Sequence, residues 1–445
     1  MQDWTNKKVL VMGYARSGKA AIAVLRKLGA KITLSDRNEP KDKEQLEALG
    51  VKVVGQSEEI FAEPFDLCVK NPGVPPVSPL VARMHELNIP IITEIELAYQ
   101  VSKPQHYFAI TGTNGKTTTT TLAYEFLKKR YGDKALVGGN IGTPLCELVM
   151  QYDLFNNAGY YIALEISNHQ LVDIDRFHPE VATITNLTPD HLETMGSLDN
   201  YYRSKTEVYR NMSGQDLFIL NGDDETLFGY VARYPFNCAA KTISIERSNT
   251  DSFIKDDWLY IDLQKTLPLS EIRLVGRHNL QNILIAATGC HHLGVSCAQI
   301  REVVASFAGV EHRIEFVREL NGVTYYNDSK GTNTDATITA LKSFTENVIL
   351  LVGGYEKGLA MDEMRKYLSP VKKVIGYGAA GPRIAKDLVG EAAKIVADLQ
   401  AAVAYAHQIA EPGDIVLLSP TTSSFDQYSG YEERGRHFKE LVNKL

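Results

Sequence analysis

The stretch Phe108-Ala-Ile-Thr-Gly-Thr-Asn-Gly-Lys-Thr-Thr118 constrains this chain more than any other: a short apolar strand runs into a glycine loop that ends in Lys-Thr. A strand–loop–helix unit of this kind holds phosphates, because glycines let the backbone approach an anion and turn its N–H groups inward. Gly112 and Gly115 take that part, flanking Thr113 and Asn114. Lys116 supplies a point charge for terminal phosphates, the Thr117 hydroxyl suits Mg²⁺, and Thr118 continues into the helix. The eight-residue P-loop pattern asks for glycine at position 110, where Ile110 stands, so the match is to a shorter loop. ATP or a relative is the expected ligand; the bland alternative is an ordinary strand-to-helix turn.

Alternating strand and helix signals fall into three blocks, which predicts α/β architecture with mostly parallel sheets. In the first, residues 1–95, Val9-Leu-Val-Met12 is a strand, a helix pattern runs from about Gly18 to Leu28, and Lys31-Ile-Thr-Leu-Ser-Asp36 is a second strand ending in an acid. This is half of a Rossmann-like nucleotide-binding fold. The dinucleotide fingerprint needs glycine at position 15, where Ala15 stands, so a nucleotide handle with phosphates near Ser17 and Gly18 is expected rather than NAD. The second block, residues 96–310, carries the phosphate loop, and Thr242-Ile-Ser-Ile with Trp258-Leu-Tyr-Ile suggests a small antiparallel addition. The third, residues 311–445, has strand candidates at Val323, Val348, Lys373 and Asp414.

Among 445 residues, 44% are hydrophobic and 23% charged, enough for several cores. The net charge of −7 without a basic block gives no footprint for nucleic acid. Five scattered cysteines without a Cys-x-x-Cys pair speak against a disulfide framework or a zinc site and fit a reducing compartment. With no signal-peptide core and no apolar run near the roughly 20 residues that span a bilayer, a soluble cytoplasmic protein is expected.

Further candidates sit at strand exits. Glu165 ends the apolar run from Tyr160, where a carboxylate that organises Mg²⁺ belongs; a solvated strand-end acid is the alternative. Asp190 and His191 follow the strand Val181–Ile184, and Lys205 lies in a mixed helix, where composition alone reads it as a solvated charge. Asn279 and Asn282 share a helix face and could read a base edge or cap the helix. Arg313, Asp328 and Lys330, arriving from the third block, suit a closing lid over a transferring phosphoryl group. Loops at Gly353–Gly358 and Leu418–Gln427 offer a lysine and hydroxyls to a small acidic substrate, or are ordinary loops.

Taken together, the Gly-Thr-Asn-Gly-Lys-Thr loop, Glu165, Asp190-His191, Lys205, Gly-x-His-Asn279, His-Arg313 and Asn-Asp328-Ser-Lys330 resemble the Mur ligase family over the whole chain. The Asn-Asp-Ser-Lys-x-Thr-Asn and Leu-Ser-Pro-x-x-x-Ser-Phe-Asp-Gln stretches are most similar to the branch that adds D-glutamate to UDP-N-acetylmuramoyl-L-alanine. Folylpolyglutamate synthases share the loop but lack the first block.

The resemblance implies a substrate-binding first domain, a central ATP-binding domain and a third domain for the amino acid. It implies ATP at residues 112–118, with Asn279, Asn282, Arg313, Asp328 and Lys330 around it. A pair of Mg²⁺ ions falls to Thr117, Glu165, His191 and a Lys205 carbamylated by CO₂, with Asn140 near the reacting groups. Ser17, Asp36, Arg37, Asn71 and Gly73 would meet the UDP moiety; Thr332, Lys357, Ser424 and Phe425 would meet D-glutamate. Tyr355 and Glu356 stand where relatives often place an aspartate before the basic residue, and Gly331 stands where alanine is common. The expected activity is ATP-driven amide ligation in peptidoglycan precursor synthesis by a monomer. A ligase of another acid–amine pair, or a binding module gated by ATP without ligation, is the alternative.

Overall fold

Three sheets follow one another along the chain, each with its connecting helices. The computed structural model describes residues 3–188 and 195–445. In the first sheet, β1 (Lys8–Met12), β2 (Lys31–Asp36), β3 (Lys52–Gly55), β4 (Leu67–Lys70) and β5 (Ile91–Thr93) lie in the order β3-β2-β1-β4-β5, all parallel. Val9 and Val11 of β1 join one core cluster while Leu10 and Met12 join another, the period-2 alternation of a strand covered on both faces.

The central sheet has nine strands: β6 (His106–Thr111), β7 (Ala135–Gly139), β8 (Tyr161–Glu165), β9 (Val181–Ile184), β10 (Gly214–Asn221), β11 (Cys238–Ser244), β12 (Ser252–Lys255), β13 (Trp258–Ile261) and β14 (Gln264–Pro268). Their order is β14-β13-β12-β11-β10-β9-β6-β8-β7. The antiparallel addition differs from the sequence expectation. Thr242-Ile-Ser belongs to β11, which runs parallel to β10, and the antiparallel pairs are β12–β13 and β13–β14. The polar faces of β11 suggested a hairpin, but long-range pairing to β10 decided its direction.

The third sheet orders β15 (Glu315–Leu320), β16 (Val323–Asn327), β17 (Val348–Gly353), β18 (Val371–Tyr377), β19 (Lys394–Ile395) and β20 (Ile415–Leu418) as β15-β16-β20-β17-β18-β19. Only β15 is antiparallel to its neighbour in this sheet. Residues of β17 alternate between two cores, Val348, Leu350 and Val352 in one and Ile349 and Leu351 in the other.

By packing, the chain divides into two compact units: residues up to Leu269 with Gln281–Val303, and Ser270–Leu280 with Val304–Leu445. The first two sheets share the first unit because one continuous core runs from Val9 and Leu25 through Ile95 to Leu145 and Leu164. Among the described residues no helix is long and apolar enough to cross a membrane, and all five cysteines are free thiols.

Candidate active site

The phosphate loop leaves β6 at the carboxyl edge of the central sheet and opens the helix Lys116–Tyr131. Its glycines are needed for two reasons. Gly112 has φ +140° and lies so near Thr185 that a Cβ would stand 1.9 Å from Thr185 Oγ1; Gly115 has φ +81° and would meet Asn282 Oδ1 at 2.4 Å. Lys116 folds back over the loop, its Nζ donating to the carbonyls of Gly112 (2.9 Å) and Thr113 (2.8 Å).

The exit of β9 is laced to this loop. Thr113 N–H donates to the Asn186 carbonyl, Asn114 N–H to Asn186 Oδ1 (2.9 Å), and Thr185 Oγ1 to the Asn114 carbonyl (2.6 Å). Thr113 Oγ1 donates to the Thr188 carbonyl at 3.0 Å. Thr117 and Thr118 form the first helical turn. His191, with Asp190, lies outside the described residues.

Glu165 ends β8 with its neighbour Ile110 directly across on β6, at the strand end expected of it. It is buried, so the solvated alternative fails. Oε1 accepts from Asn140 Nδ2 at 2.7 Å, and the Asn140 N–H donates to the Glu165 carbonyl at 2.8 Å. Oε2 is buried with no hydrogen-bond partner among the described residues, a lone pair set that fits a cation.

Lys205 is 1% exposed on the helix Leu198–Thr206, which excludes the solvated reading. Its Nζ donates to the Gly112 carbonyl at 2.9 Å and stands 4.5 Å from the centre of the Tyr201 ring. Asn282 Oδ1 accepts from Thr119 Oγ1 at 3.2 Å. Asn279, on the same helix Arg277–His292, donates through Nδ2 to the Val275 carbonyl at 2.7 Å.

At the carboxyl edge of the first sheet, Ser17 lies in the first turn of the helix Arg16–Lys27. Asp36 accepts from the N–H groups of Tyr14 (2.6 Å), after β1, and Asn38 (2.9 Å), after β2, which ties the two strand exits together. Asn71 Oδ1 accepts from the Gly73 N–H at 2.9 Å, while its Nδ2 is buried without a hydrogen-bond partner among the described residues. Arg37, next to Asp36 in sequence, is exposed. An Arg16 guanidinium contact to the Gly142 carbonyl ties this edge to the loop that carries Asn140.

In the second unit, Asp328 is buried, accepting from Ser419 Oγ (2.7 Å) and the Ile314 N–H (3.3 Å). Burial pushes its carboxyl up to about 7, against the pull of the Ser419 hydrogen bond and the Arg313 charge. Lys330 Nζ lies 5.8 Å from the Tyr431 ring centre, and Arg313 is exposed. Lys357 Nζ donates to the Thr332 carbonyl at 3.3 Å, which brings those two together. Ser424 is buried and Phe425 is 67% exposed, one residue apart on the β20 exit loop. The Gly331 departure also has a local reason: a Cβ there would stand 2.5 Å from Asp328 Oδ2.

Arg434 escaped the sequence reading. It is 0% exposed and donates to Ser329 Oγ (3.0 Å) and to the carbonyls of Ser329 (2.8 Å), Thr422 (3.1 Å) and Gly353 (3.3 Å). One guanidinium therefore joins the exit loops of β16, β17 and β20. A signal existed: Arg434 is in register with the core residues Phe438 and Val442, four and eight positions on in the helix Tyr431–Asn443.

A phosphate loop beside a buried acid, at the carboxyl edge of a parallel sheet, defines a nucleotide-using α/β enzyme. Residues 110–290 match the Mur ligase middle domain, and residues 312–422 match the Mur ligase glutamate ligase domain. The chain is 39% identical to a UDP-N-acetylmuramoylalanine–D-glutamate ligase of Geobacillus kaustophilus, covering 99% of this chain and 98% of that one. It is 40% identical to a protein of the same name from Exiguobacterium sibiricum, covering 99% and 97%. A solved MurF ligase of Thermotoga maritima in complex with ADP shares the fold at TM-score 0.53 and 18% identity, over 99% of this chain and 96% of that one. The chain belongs to the Mur ligase family. It is an ATP-dependent ligase that forms amide bonds.

Proposed function

We propose that this enzyme joins the amine of D-glutamate to the alanyl carboxylate of UDP-N-acetylmuramoyl-L-alanine, converting ATP to ADP and phosphate, in cytoplasmic peptidoglycan precursor synthesis. The observation that carries the choice of substrates is full-length similarity, near 40%, to ligases of that name. The alanyl carboxylate oxygen attacks the γ-phosphorus and ADP leaves, giving an acyl phosphate. The D-glutamate amine then attacks the acyl carbon, and the tetrahedral adduct expels phosphate as the amine loses a proton. Phosphorylation turns a poor oxide leaving group into a good one, which is why ATP is spent.

The loop at residues 112–118 holds the ATP phosphates, with Lys116 neutralising charge as it moves to ADP. Asn279, Asn282, Arg313, Asp328 and Lys330 are assigned to the same nucleotide. Thr117, Glu165, His191 and a carbamylated Lys205 would hold Mg²⁺, which supplies charge neutralisation at the phosphates; the orphaned Oε2 of Glu165 supports this set. Asn140 orients Glu165 through its carboxamide. Ser17, Asp36, Arg37, Asn71 and Gly73 meet the UDP moiety, and Asp36 also holds the Tyr14 N–H. Thr332, Lys357, Ser424 and Phe425 meet D-glutamate. The substrate, nucleotide and amino-acid domains span residues 1–95, 96–310 and 311–445 in this reading, and the enzyme works as a monomer.

The test is isotopic. With the substrate carboxylate labelled by ¹⁸O, one labelled oxygen should appear in the released phosphate. Phosphate free of label would rule out the acyl phosphate route.

A further inference from the structure

The end of β18 and the turn after it read Gly376-Tyr-Gly-Ala-Ala-Gly381 and open the helix Gly381–Val389. In nucleotide-binding folds a Gly-x-Gly-x-x-Gly turn aims backbone N–H groups at a phosphate. Here the turn takes acceptors from the chain itself. The Ala379 N–H donates to Asp426 Oδ2 at 3.1 Å, and the Ala380 N–H to the Gly354 carbonyl at 2.8 Å. Gly378, at φ +66°, is so close that a Cβ would stand 2.6 Å from the same Asp426 oxygen.

Just inside the same helix, Arg383 grips Glu356 through a fork: Nε to Oε2 at 2.9 Å and Nη2 to Oε1 at 2.8 Å. Its Nη1 also donates to the Leu359 carbonyl (3.1 Å) and Asp387 (2.8 Å). Glu356 further accepts from the Gly358 N–H at 2.6 Å. The Arg383 hydrogen bonds, then that N–H, hold its carboxyl down to about 2, so the fork stays charged at working pH.

The two carboxylates belong to two different loops. Asp426 directly follows Ser424-Phe425, and Glu356 directly precedes Lys357. These loops are also joined to each other: the Tyr355 N–H donates to the Ser423 carbonyl (2.8 Å), and Thr422 Oγ1 to the Tyr355 carbonyl (2.5 Å). Loops hold a geometry only when their ends and side chains are tied to a rigid element.

We propose that the Gly376–Gly381 turn and Arg383 moor the amino-acid pocket, so that Asp426 and the Glu356–Arg383 fork are positioning residues. They set the affinity for the amino-acid substrate without touching it. The inference rests on the assignment of Lys357, Ser424 and Phe425 to D-glutamate. It also gives the departure at Glu356 a purpose. In this chain the acid before Lys357 is held by Arg383 of the helix, and it fixes where Lys357 leaves the loop.

The test is steady-state kinetics on the full-length enzyme with ATP and UDP-N-acetylmuramoyl-L-alanine saturating. Asp426→Ala and Arg383→Ala should each raise KM for D-glutamate by roughly three- to tenfold, with KM for ATP unchanged. Asp426→Asn keeps an oxygen for the Ala379 N–H and should restore most of the affinity. Glu356→Arg and Arg383→Glu should each raise KM, and the double exchange should recover part of it. Unchanged KM in folded Asp426→Ala and Arg383→Ala, equal rises in KM for ATP, or no recovery in the double exchange would overturn the mooring. Saturation of the wild-type enzyme by D-glutamate tests the underlying reading separately; if another amine saturates it, KM for that amine is the readout.

Discussion

The side-chain nitrogens of Lys116 and Lys205 converge on one carbonyl oxygen, that of Gly112, each at 2.9 Å. Lys116 comes from the phosphate loop and Lys205 from the helix Leu198–Thr206. The shared acceptor brings the two nitrogens within twice that distance of each other, at the start of the phosphate loop. The first two predictions concern these side chains.

Lys116→Ala removes the charge that offsets the β- and γ-phosphates. Turnover should fall by several powers of ten while the fold persists, since the loop keeps its ties to Thr185–Thr188. Phosphate release measured on the purified variant decides this, and near-normal release would refute the phosphate-loop assignment.

Lys205→Ala should also lose activity, but for a reason that can be reversed. If Lys205 acts as a carbamate, small carboxylic acids such as acetate should fit the vacated space and restore part of the rate at millimolar concentration. A bare ammonium role allows no such rescue. Activity that survives without any acid would remove Lys205 from the metal set.

Glu94 gives a pH dependence with a definite sign. It is buried, with Oε1 accepting from the Cys146 N–H and Oε2 lacking a hydrogen-bond partner among the described residues. Burial raises its carboxyl to about 7, from 4.5 in an open chain. Between those values the folded state binds more protons than the unfolded state, so this group's contribution is full below pH 4.5 and lost as pH passes 7. Glu94→Gln keeps an acceptor for the Cys146 N–H and removes the titration. The loss of stability from pH 5 to pH 8 should shrink by about 1–3 kcal/mol. Denaturant unfolding at the two values checks it; an identical pH slope in both proteins would contradict it.

Arg434→Met would leave the Ser329, Thr422 and Gly353 carbonyls without their shared donor. Removing one side of a buried polar network costs about 3 kcal/mol or more. The thermal midpoint should drop and the affinity for D-glutamate should fall with it, because the three exit loops lose their common anchor. A variant that melts like the parent would show that the loops are held by other means.

What the sequence made legible was local. The glycine spacing before Lys116 and the acid at the end of β8 identify themselves within a dozen residues, and both stand where expected. Contacts made over long separations were hidden. Composition read Lys205 as a solvated charge, yet it is buried against a carbonyl far away in the chain. The hydrogen bonds from the Tyr14 and Asn38 N–H groups to Asp36 were likewise not legible in the sequence. The direction of β11 was set by its partner β10, which no periodicity in its own residues encodes.

The most direct measurement is phosphate release from ATP in the presence of UDP-N-acetylmuramoyl-L-alanine, with D-glutamate, L-glutamate or other amino acids added in turn. Release accompanied by a new amide with D-glutamate alone is the expected result. Release and ligation with a different amine, or release that ignores every acid–amine pair, would contradict the assignment.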